Sequence, residues 1–371
     1  MKVAIIHYWF VTRRGGEKVV ESLLKIYPDA DIYTLFYDKN KYGNSLVNQT
    51  IYTSILNIPF LKKRYQKVFP LYPLGIKSLK LKRKYDLIIS SESGPAKGIH
   101  IGNNTPHICY IHSPMRYCWS HKETYVNAVS PILRPLLSFF LNRLKNYDKS
   151  TIDNVNLYLS NSKNVANRVK KYYQKDSEVV YPPIADVLFT KPLPTDTEKD
   201  IFLSFGAITP YKRIDLLIDV FNKNGKQLVI IGDGSEKLKL EKKANKNITF
   251  KGNLAWEEIE YFFARSKALL FPGEEDFGMI PLEVMAYGIP VIAYKKGGAL
   301  ETIIENRNNI KESSGLFFDN QKIEAIEETI KFFEKEHQNF NPIWIRNHAK
   351  KFSEEIFISN IKKQIKKFEN K

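Results

Sequence analysis

The sequence predicts an α/β protein built from two Rossmann-like domains, each a doubly wound parallel sheet, and three observations carry that expectation. The chain has 371 residues, more than one ordinary core accommodates at roughly 150 residues per domain. Short apolar, β-rich runs alternate with amphipathic helical stretches along its length, the pattern of βαβ units. Between two such series lies a segment, residues 182–199, with Pro182, Pro183, Pro192 and Pro194 among Thr, Asp and Lys, a composition that resists both helix and central strand.

In the first series, Val3–Ile6, Ile32–Leu35, Leu87–Ile89, Ile108–Ile111 and Leu157–Leu159 read as buried strands. A helix from Glu17 to Tyr27 places Val19, Val20, Leu23, Leu24 and Tyr27 on one face. The second series has strands at Ile201–Phe205, Leu228–Ile231, Ile248–Phe250, Ala268–Phe271 and Val291–Tyr294. Near the end, Phe352, Ile356, Phe357, Ile361, Ile365 and Phe368 recur at helical spacing with lysines opposite, which marks a closing helix. The expected domains are therefore residues 1–185 and 186–350, followed by a helix over 351–371.

Composition narrows the class. A hydrophobic fraction of 43% with 13% aromatic residues supports sizeable cores and excludes a disordered chain. Cys109 and Cys118 are too few for a disulfide framework and lack the partners of a zinc site, which fits a reducing cytoplasm and leaves metal binding unexpected. Arg13-Arg14 stand where an export signal needs small residues. The apolar stretch Pro131–Leu144 is interrupted by Arg134, Pro135 and Arg143 and is too short to span a bilayer. The net charge of +17 is lopsided: residues 1–190 hold 28 Lys+Arg against 13 Asp+Glu, and the remainder 29 against 27. The excess belongs to the first half.

The richest motif is Phe271-Pro-Gly-Glu-Glu275-Asp-Phe-Gly278-Met279-Ile280-Pro-Leu-Glu283. Two carboxylates eight residues apart flank a glycine turn from strand to helix. Amides at a helix start hold phosphate, and carboxylates beside them accept hydrogen bonds from sugar hydroxyls. An ordinary turn with solvated acids is the plainer alternative. Upstream, Ser204-Phe-Gly206 ends a strand and Lys212-Arg213 presents two cations before a helix starting near Ile214. Fixed cations stabilise the charge that builds on a departing diphosphate more than they stabilise the ground state, although Lys-Arg pairs are common in so basic a chain.

Gly15-Gly16-Glu17 joins the first strand to the first helix, where parallel sheets bind ligands. A plain tight turn explains the glycines more readily. Gly232-Asp-Gly234 is followed by Lys237 where a dinucleotide fingerprint needs glycine, which disfavours a Rossmann-type cofactor. His112 closes an apolar strand at a carboxyl end, with a core histidine as the competing reading. The stretch Ile58–Phe69, containing Lys62, Lys63, Arg64 and Lys67 with Phe60, Tyr65 and Phe69, suits an anionic lipid surface. A solvated face and RNA are the rivals there.

These motifs together resemble the retaining glycosyltransferases of family four. Glu275 to Glu283 is the family's E-x7-E motif, and Gly15-Gly16-Glu17, Asn161-Ser162, Val180-Tyr-Pro-Pro183, Ile231-Gly-Asp-Gly234 and Gly297-Gly298-Ala-Leu-Glu301 arrive in the family's order. Tyr110–Tyr117, Ser91–Gly98 and Pro210-Tyr-Lys-Arg213 look closest to mannosyltransferases of bacterial O-antigen and polysaccharide assembly. The resemblance implies a GT-B fold, two domains facing across a cleft with the C-terminal helix closing back on the first. It implies that Glu275 contacts the transferred sugar, Glu283 the ribose and Lys212 the diphosphate. Gly278, Met279 and Ile280 would supply amides, Gly15 and Gly16 would approach the diphosphate, and His112 would face the reacting sugar. Gly252, Asn253 and Leu254 would read the base through backbone groups. Many family members have arginine where this chain has Ala207, which leaves Arg213 as a candidate replacement in the phosphate clamp.

The implied activity is metal-independent transfer of a hexose with retention, mannose from GDP-mannose being the leading donor, in cell-surface glycan synthesis. The acceptor would be lipid-linked or polysaccharide, met at the inner membrane face by Lys62, Lys63, Arg64, Lys67 and Arg116. No cofactor beyond the GDP- or UDP-linked donor and no nucleic acid are expected. A UDP-sugar transferase, an epimerase or phosphorylase of the same fold, and a non-catalytic sugar-nucleotide or RNA binder are the alternatives.

Overall fold

The computed structural model describes residues 1–102, 105–194 and 197–369. Residues 195 and 196 of the expected hinge and 370 and 371 of the expected closing helix lie outside the described residues. The chain divides into two units, Met1–Pro183 with Phe357–Lys371, and Ile184–Ile356.

In the first unit, β1 (Val3–Phe10), β2 (Asp31–Tyr37), β3 (Ile51–Thr53), β4 (Leu87–Glu92), β5 (His107–Ile111), β6 (Leu157–Ser160) and β7 (Glu178–Val179) form one sheet. Its order is β3-β2-β1-β4-β5-β6-β7, and every pair is parallel. Alternation along β1 explains its central place. Val3 and Ile5 enter a core with Val19, Val20 and Leu23 of the helix Gly15–Ile26, while Ala4 and Ile6 enter a second core with Tyr33, Ile76 and Ile88. Both faces are covered, as parallel sheets require.

The first of these cores also takes in Phe357, Ile361 and Ile365 from the C-terminal helix Glu354–Glu369. Phe357 meets the ring of Tyr110 edge-on at 5.8 Å. Each such side chain contributes roughly 1.5–3 kcal/mol relative to exposure, so the end of the chain belongs energetically to the first unit. The division therefore falls inside this helix, at Ile356/Phe357, rather than at residue 351.

The second unit contains β8 (Ile201–Phe205), β9 (Leu228–Ile231), β10 (Ile248–Gly252), β11 (Ser266–Phe271), β12 (Val291–Tyr294) and β13 (Gly315–Phe318). They are ordered β10-β9-β8-β11-β12-β13, again all parallel. In both sheets the order reverses direction once, between β1 and β4 and between β8 and β11. Ligands of open α/β sheets bind outside the carboxyl ends of the strands at such a switch point.

The stretch Pro131–Leu144 folds as a 3-10 turn, Pro131–Leu133, and the first part of a helix, Arg134–Ser150. Among the described residues no helix is long and apolar enough to cross a membrane.

Candidate active site

In the second unit, the chain leaves β8 through Gly206 and Ala207 and reaches the 3-10 turn Pro210–Lys212. Lys212 Nζ lies against Glu275 Oε1 in the loop after β11, the two side chains being 13% and 16% exposed. The contact is an ion pair. Gly206, Ala207, Lys212, Phe271 and Gly273 line one crevice at the switch point.

The backbone of Glu275 is held from the far side. Gly298 N–H donates to its carbonyl at 2.8 Å, and Gly297 bridges to it in parallel register. A Cβ on Gly298 would stand 2.2 Å from Phe277 Cα, so only glycine admits this approach. Gly278, at φ +90°, caps the helix Met279–Met285, whose Glu283 is 6% exposed. Ile280 packs so closely on Gly206 that a Cβ there would meet its Cδ1 at 2.7 Å. The two loops that sequence reasoning nominated separately are thus in contact.

Arg213 is disposed differently from Lys212. Its backbone is left-handed, at φ +54°, and its guanidinium donates to both oxygens of Asp215 at 3.0–3.3 Å and to Gln321 Oε1 at 3.3 Å. Gln321 in turn donates to the Pro272 carbonyl at 2.8 Å. The two adjacent cations are assigned to different acids. At the end of β10, the Gly252 carbonyl accepts from Gly232 N–H at 2.8 Å, which sets Gly252-Asn253-Leu254 beside the Gly232-Asp233-Gly234 turn.

In the first unit, His112 follows β5. Its N–H donates to the Glu92 carbonyl at 2.7 Å, and its Nε2 lies 2.8 Å from Ser91 Oγ. A Cβ on Gly16 would come 2.8 Å from Tyr8 Oη, 3.4 Å from His7 Cε1 and 3.5 Å from His112 Nε2, so the glycine start of the first helix meets all three rings. His7 is fully buried and neither ring nitrogen has a hydrogen-bond partner. The nearest acid, Glu17 Oε1, is 3.8 Å away, while Glu17 Oε2 accepts from Arg14 N–H at 3.0 Å. Burial, helped by neighbouring His7, pushes His112 down to about 3, so its imidazole is neutral. His7, Tyr8 and Ser91 were not singled out from sequence. The signal that selected His112, a polar residue at the carboxyl end of an apolar strand, applies to Ser91 at the end of β4, while His7 and Tyr8 lie inside β1.

Two known families match the chain, one in each unit. The family "Glycosyltransferase Family 4" matches residues 14–186, and "Glycosyl transferases group 1" matches residues 188–354. The chain is a glycosyltransferase of the GT-B type. An uncharacterized glycosyltransferase of Methanocaldococcus jannaschii is 28% identical to it over 84% of this chain and 83% of its own length. A GDP-mannose-dependent alpha-mannosyltransferase of Corynebacterium glutamicum is 30% identical over 36% of this chain and 33% of its own. Among solved structures, Anabaena HepE in complex with UDP has a TM-score of 0.71 at 17% identity, covering 99% of this chain and 100% of that one. At that identity the likeness concerns the fold.

Beneath His112 the glycosyltransferase carries a buried polar pin. Lys97, fully buried, contacts Asp148 and lies 3.7 Å from Glu92. Asp148 also accepts from Trp119 Nε1 at 2.7 Å and Tyr173 Oη at 2.8 Å. One lysine faces two carboxylates, and burial pushes Glu92 up to about 8 against the pull of Lys97. Because the Glu92 carbonyl receives His112 N–H, this pin fixes the height of the histidine. The Ser91–Gly98 motif is structural at Lys97 and site-facing at Ser91.

The basic residues expected at a membrane surface are dispersed. Lys62 is half-buried and 3.5 Å from Asp38, Lys63 and Lys67 are exposed, and Arg64 covers the Phe60 ring at 4.6 Å. Arg116 is half-buried on the loop after β5. Phe69 and Tyr117, with ring centroids 5.8 Å apart, join the two segments.

Proposed function

We propose that this glycosyltransferase moves a hexose, with mannose from GDP-mannose as its donor, onto a lipid-linked or polysaccharide acceptor in cell-surface glycan synthesis, with retention and without a metal. The observation that carries the reading is the Lys212–Glu275 pair at the second unit's switch point, beside the glycine-capped helix that bears Glu283. On donor binding, the diphosphate takes over Lys212, and Glu275 turns to the sugar hydroxyls. Glu283 serves the ribose, and the N–H groups of Gly278, Met279 and Ile280 serve phosphate and sugar. As the bond between the anomeric carbon and the β-phosphate oxygen breaks, fixed positive charge stabilises the leaving diphosphate. The acceptor oxygen bonds to that carbon from the same face, and its proton passes to the departing phosphate oxygen.

The first unit serves the acceptor and the reacting sugar. Its neutral His112, oriented by Ser91, can accept a hydrogen bond and carries no charge that would repel a developing cation. Gly16 keeps the approach to it open. The named alpha-mannosyltransferase relative supports mannose, through a third of the chain only. Lys63, Arg64, Lys67 and Arg116 support an anionic inner membrane face as the place of work.

A thermal-shift series with GDP, UDP and ADP, followed by product analysis, tests the proposal. A ligand at 100 times its dissociation constant adds about 2.7 kcal/mol, and GDP should give the largest rise. Glu283→Ala and Lys212→Ala should each reduce it. No rise with any nucleotide, or equal rises in both variants, removes the site from donor binding. A glycosidic product of inverted configuration refutes retention, and turnover of UDP-glucose above GDP-mannose refutes the donor.

A further inference from the structure

The helix Arg134–Ser150 has two apolar faces where a surface helix needs one. Leu141 and Leu144 are buried with Met115 and Cys118, and Leu137 packs partly against them. On another side, Leu136 is 55% and Phe139 53% exposed, and the preceding turn adds Ile132 at 89% and Leu133 at 52%. Scattered exposed apolar residues are ordinary, but four large ones within eight positions form a patch that calls for a partner.

The chemistry around the patch indicates which partner. Glu123 is the one acidic residue between Glu92 and Asp148 in the sequence, and none occurs between Asp38 and Asp86. Arg143 lies over the Phe139 ring at 5.8 Å, its charge at the patch's edge. Arg134 donates to the Val129 and Asn127 carbonyls, holding the turn that displays Ile132. The 3-10 turn Phe69–Leu71 packs on this same helix. Leu71 of that turn is 39% exposed, and Leu74 and Phe60 to either side of it in sequence are 54% and 63% exposed, so the basic segment also displays apolar side chains. Apolar side chains flanked by Arg134 and Arg143, in stretches of sequence this poor in acids, fit the headgroup boundary of an anionic bilayer.

We propose that the N-terminal half of the helix Arg134–Ser150, with the turn before it, is a membrane foot. Ile132, Leu133, Leu136 and Phe139 enter the interfacial layer of an anionic phospholipid bilayer while Arg134 and Arg143 stay at headgroup level. The proposal deepens the reading of a transferase whose acceptor sits in a membrane, and it adds insertion to electrostatic attraction. A purely charged surface would hold the protein above the lipid; a foot sets the depth and orientation at which the first unit's switch point meets a lipid-linked acceptor.

The test is co-sedimentation of the full chain with phosphatidylcholine vesicles, with and without phosphatidylglycerol. The variant I132S/L136S/F139S leaves net charge unchanged. Its partition onto anionic vesicles should fall about tenfold or more, since each apolar group lost weakens insertion. The GDP-induced thermal shift, a readout of the second unit, should stay as in the parent chain. Unchanged vesicle partition overturns the foot. So does sedimentation velocity showing a dimer that the variant turns into monomers with undiminished vesicle binding, which would make the patch a contact between copies of this chain. Loss of the GDP shift in the parent chain would instead fail the donor-site reading and leave the vesicle result standing.

Discussion

The two switch points hold their polar groups in opposite ways. In the second unit, Lys212 and Glu275 neutralise each other before any ligand arrives, and Arg213 is committed to Asp215. In the first unit, His7, His112, Ser91 and Glu17 gather with both nitrogens of His7 and one oxygen of Glu17 lacking hydrogen bonds. A ligand of the second unit exchanges an existing ion pair for new ones, which favours a ligand with its own strong charge. A ligand of the first supplies partners to buried atoms that have none, and each such atom costs about 1–3 kcal/mol while unsatisfied. On the proposed reading, this contrast suits the second unit to the charged donor and the first to a neutral sugar.

The largest effect expected from this contrast lies at Lys212. Lys212→Ala should lower turnover by about 100-fold or more, the usual consequence of losing one preorganised charge stabiliser. Glu275→Gln should lower it too, and the double variant should fall short of the product of the two, because the residues share one interaction. Steady-state kinetics of the four proteins decide it. Unchanged turnover in Lys212→Ala takes that residue out of the mechanism, and strict multiplicativity denies the coupling.

A second test separates chemistry from scaffold. Gly298→Ala places a Cβ 2.2 Å from Phe277 Cα, a backbone clash with no flexible end to yield. The expected loss is roughly 2–3 kcal/mol of stability in the second unit, with donor affinity weakened because the Glu275 carbonyl loses its clamp. Urea melts and nucleotide titration measure both. Full stability in this variant would show that the clamp is not tight.

How much of this was legible in the sequence follows from the same contrast. The second unit's acids, cations and glycines lie in two short spans, 204–213 and 271–283, so local spacing made Lys212, Glu275 and Glu283 candidates and the family resemblance gave them roles. Strands β8, β9 and β12 match their expected bounds because each is a short apolar run closed by polar or turn residues. The first unit's cluster is collected from β1, β4, β5 and a helix start, and no local pattern links His7 to Ser91 or His112. The partners of Arg213 were hidden for a related reason: Gln321 is more than a hundred residues away. Strands β3, β7 and β13 went unpredicted. β3 and β7 are edge strands of three and two residues, too short to show a period. β13 opens with a glycine after two serines, which reads as a loop until β12 supplies its ladder.

Acidification should test the buried histidines of the first unit by stability. Burial holds His107 down to about 4 and His112 to about 3, so both stay neutral in the folded first unit while unfolded chains protonate near 6.5. Between about 6.5 and 4.5 the unfolded state binds two more protons at these sites. Glu92, pushed up to about 8, keeps a proton that the unfolded chain has lost, and offsets one of them. The net is about one proton, so the first unit should lose ~1.4 kcal/mol per pH unit on acidification through that window. In the second unit His348, lowered by burial, acts in the same direction. Denaturation followed by a probe in the first unit at pH 7 and pH 5 should show this loss. A first unit equally stable at both pH values would contradict the neutral-histidine assignment.

The smallest expected effect probes the sorting most directly. His7→Phe keeps an aromatic ring between Tyr8 and Phe10, with which His7 is now in contact at centroid distances of 4.1 and 4.9 Å, and removes two buried nitrogens that lack partners. If those nitrogens serve only packing, the variant should gain roughly 1 kcal/mol of stability with turnover unchanged. If they await a ligand, the same gain should come with turnover reduced about tenfold, the size of one lost hydrogen bond in the transition state. Donor affinity should be untouched in either case, because the donor pair lies in the second unit. We expect the second outcome: a Cβ on Gly16 would meet Tyr8 Oη at 2.8 Å and stand in ordinary contact with His7 and His112, so the bare helix start borders this cluster at the first unit's switch point, where ligands of open α/β sheets bind. Higher stability with full activity would reduce the first unit's histidine pair to a packing motif and leave Ser91–His112 alone to orient the reacting sugar.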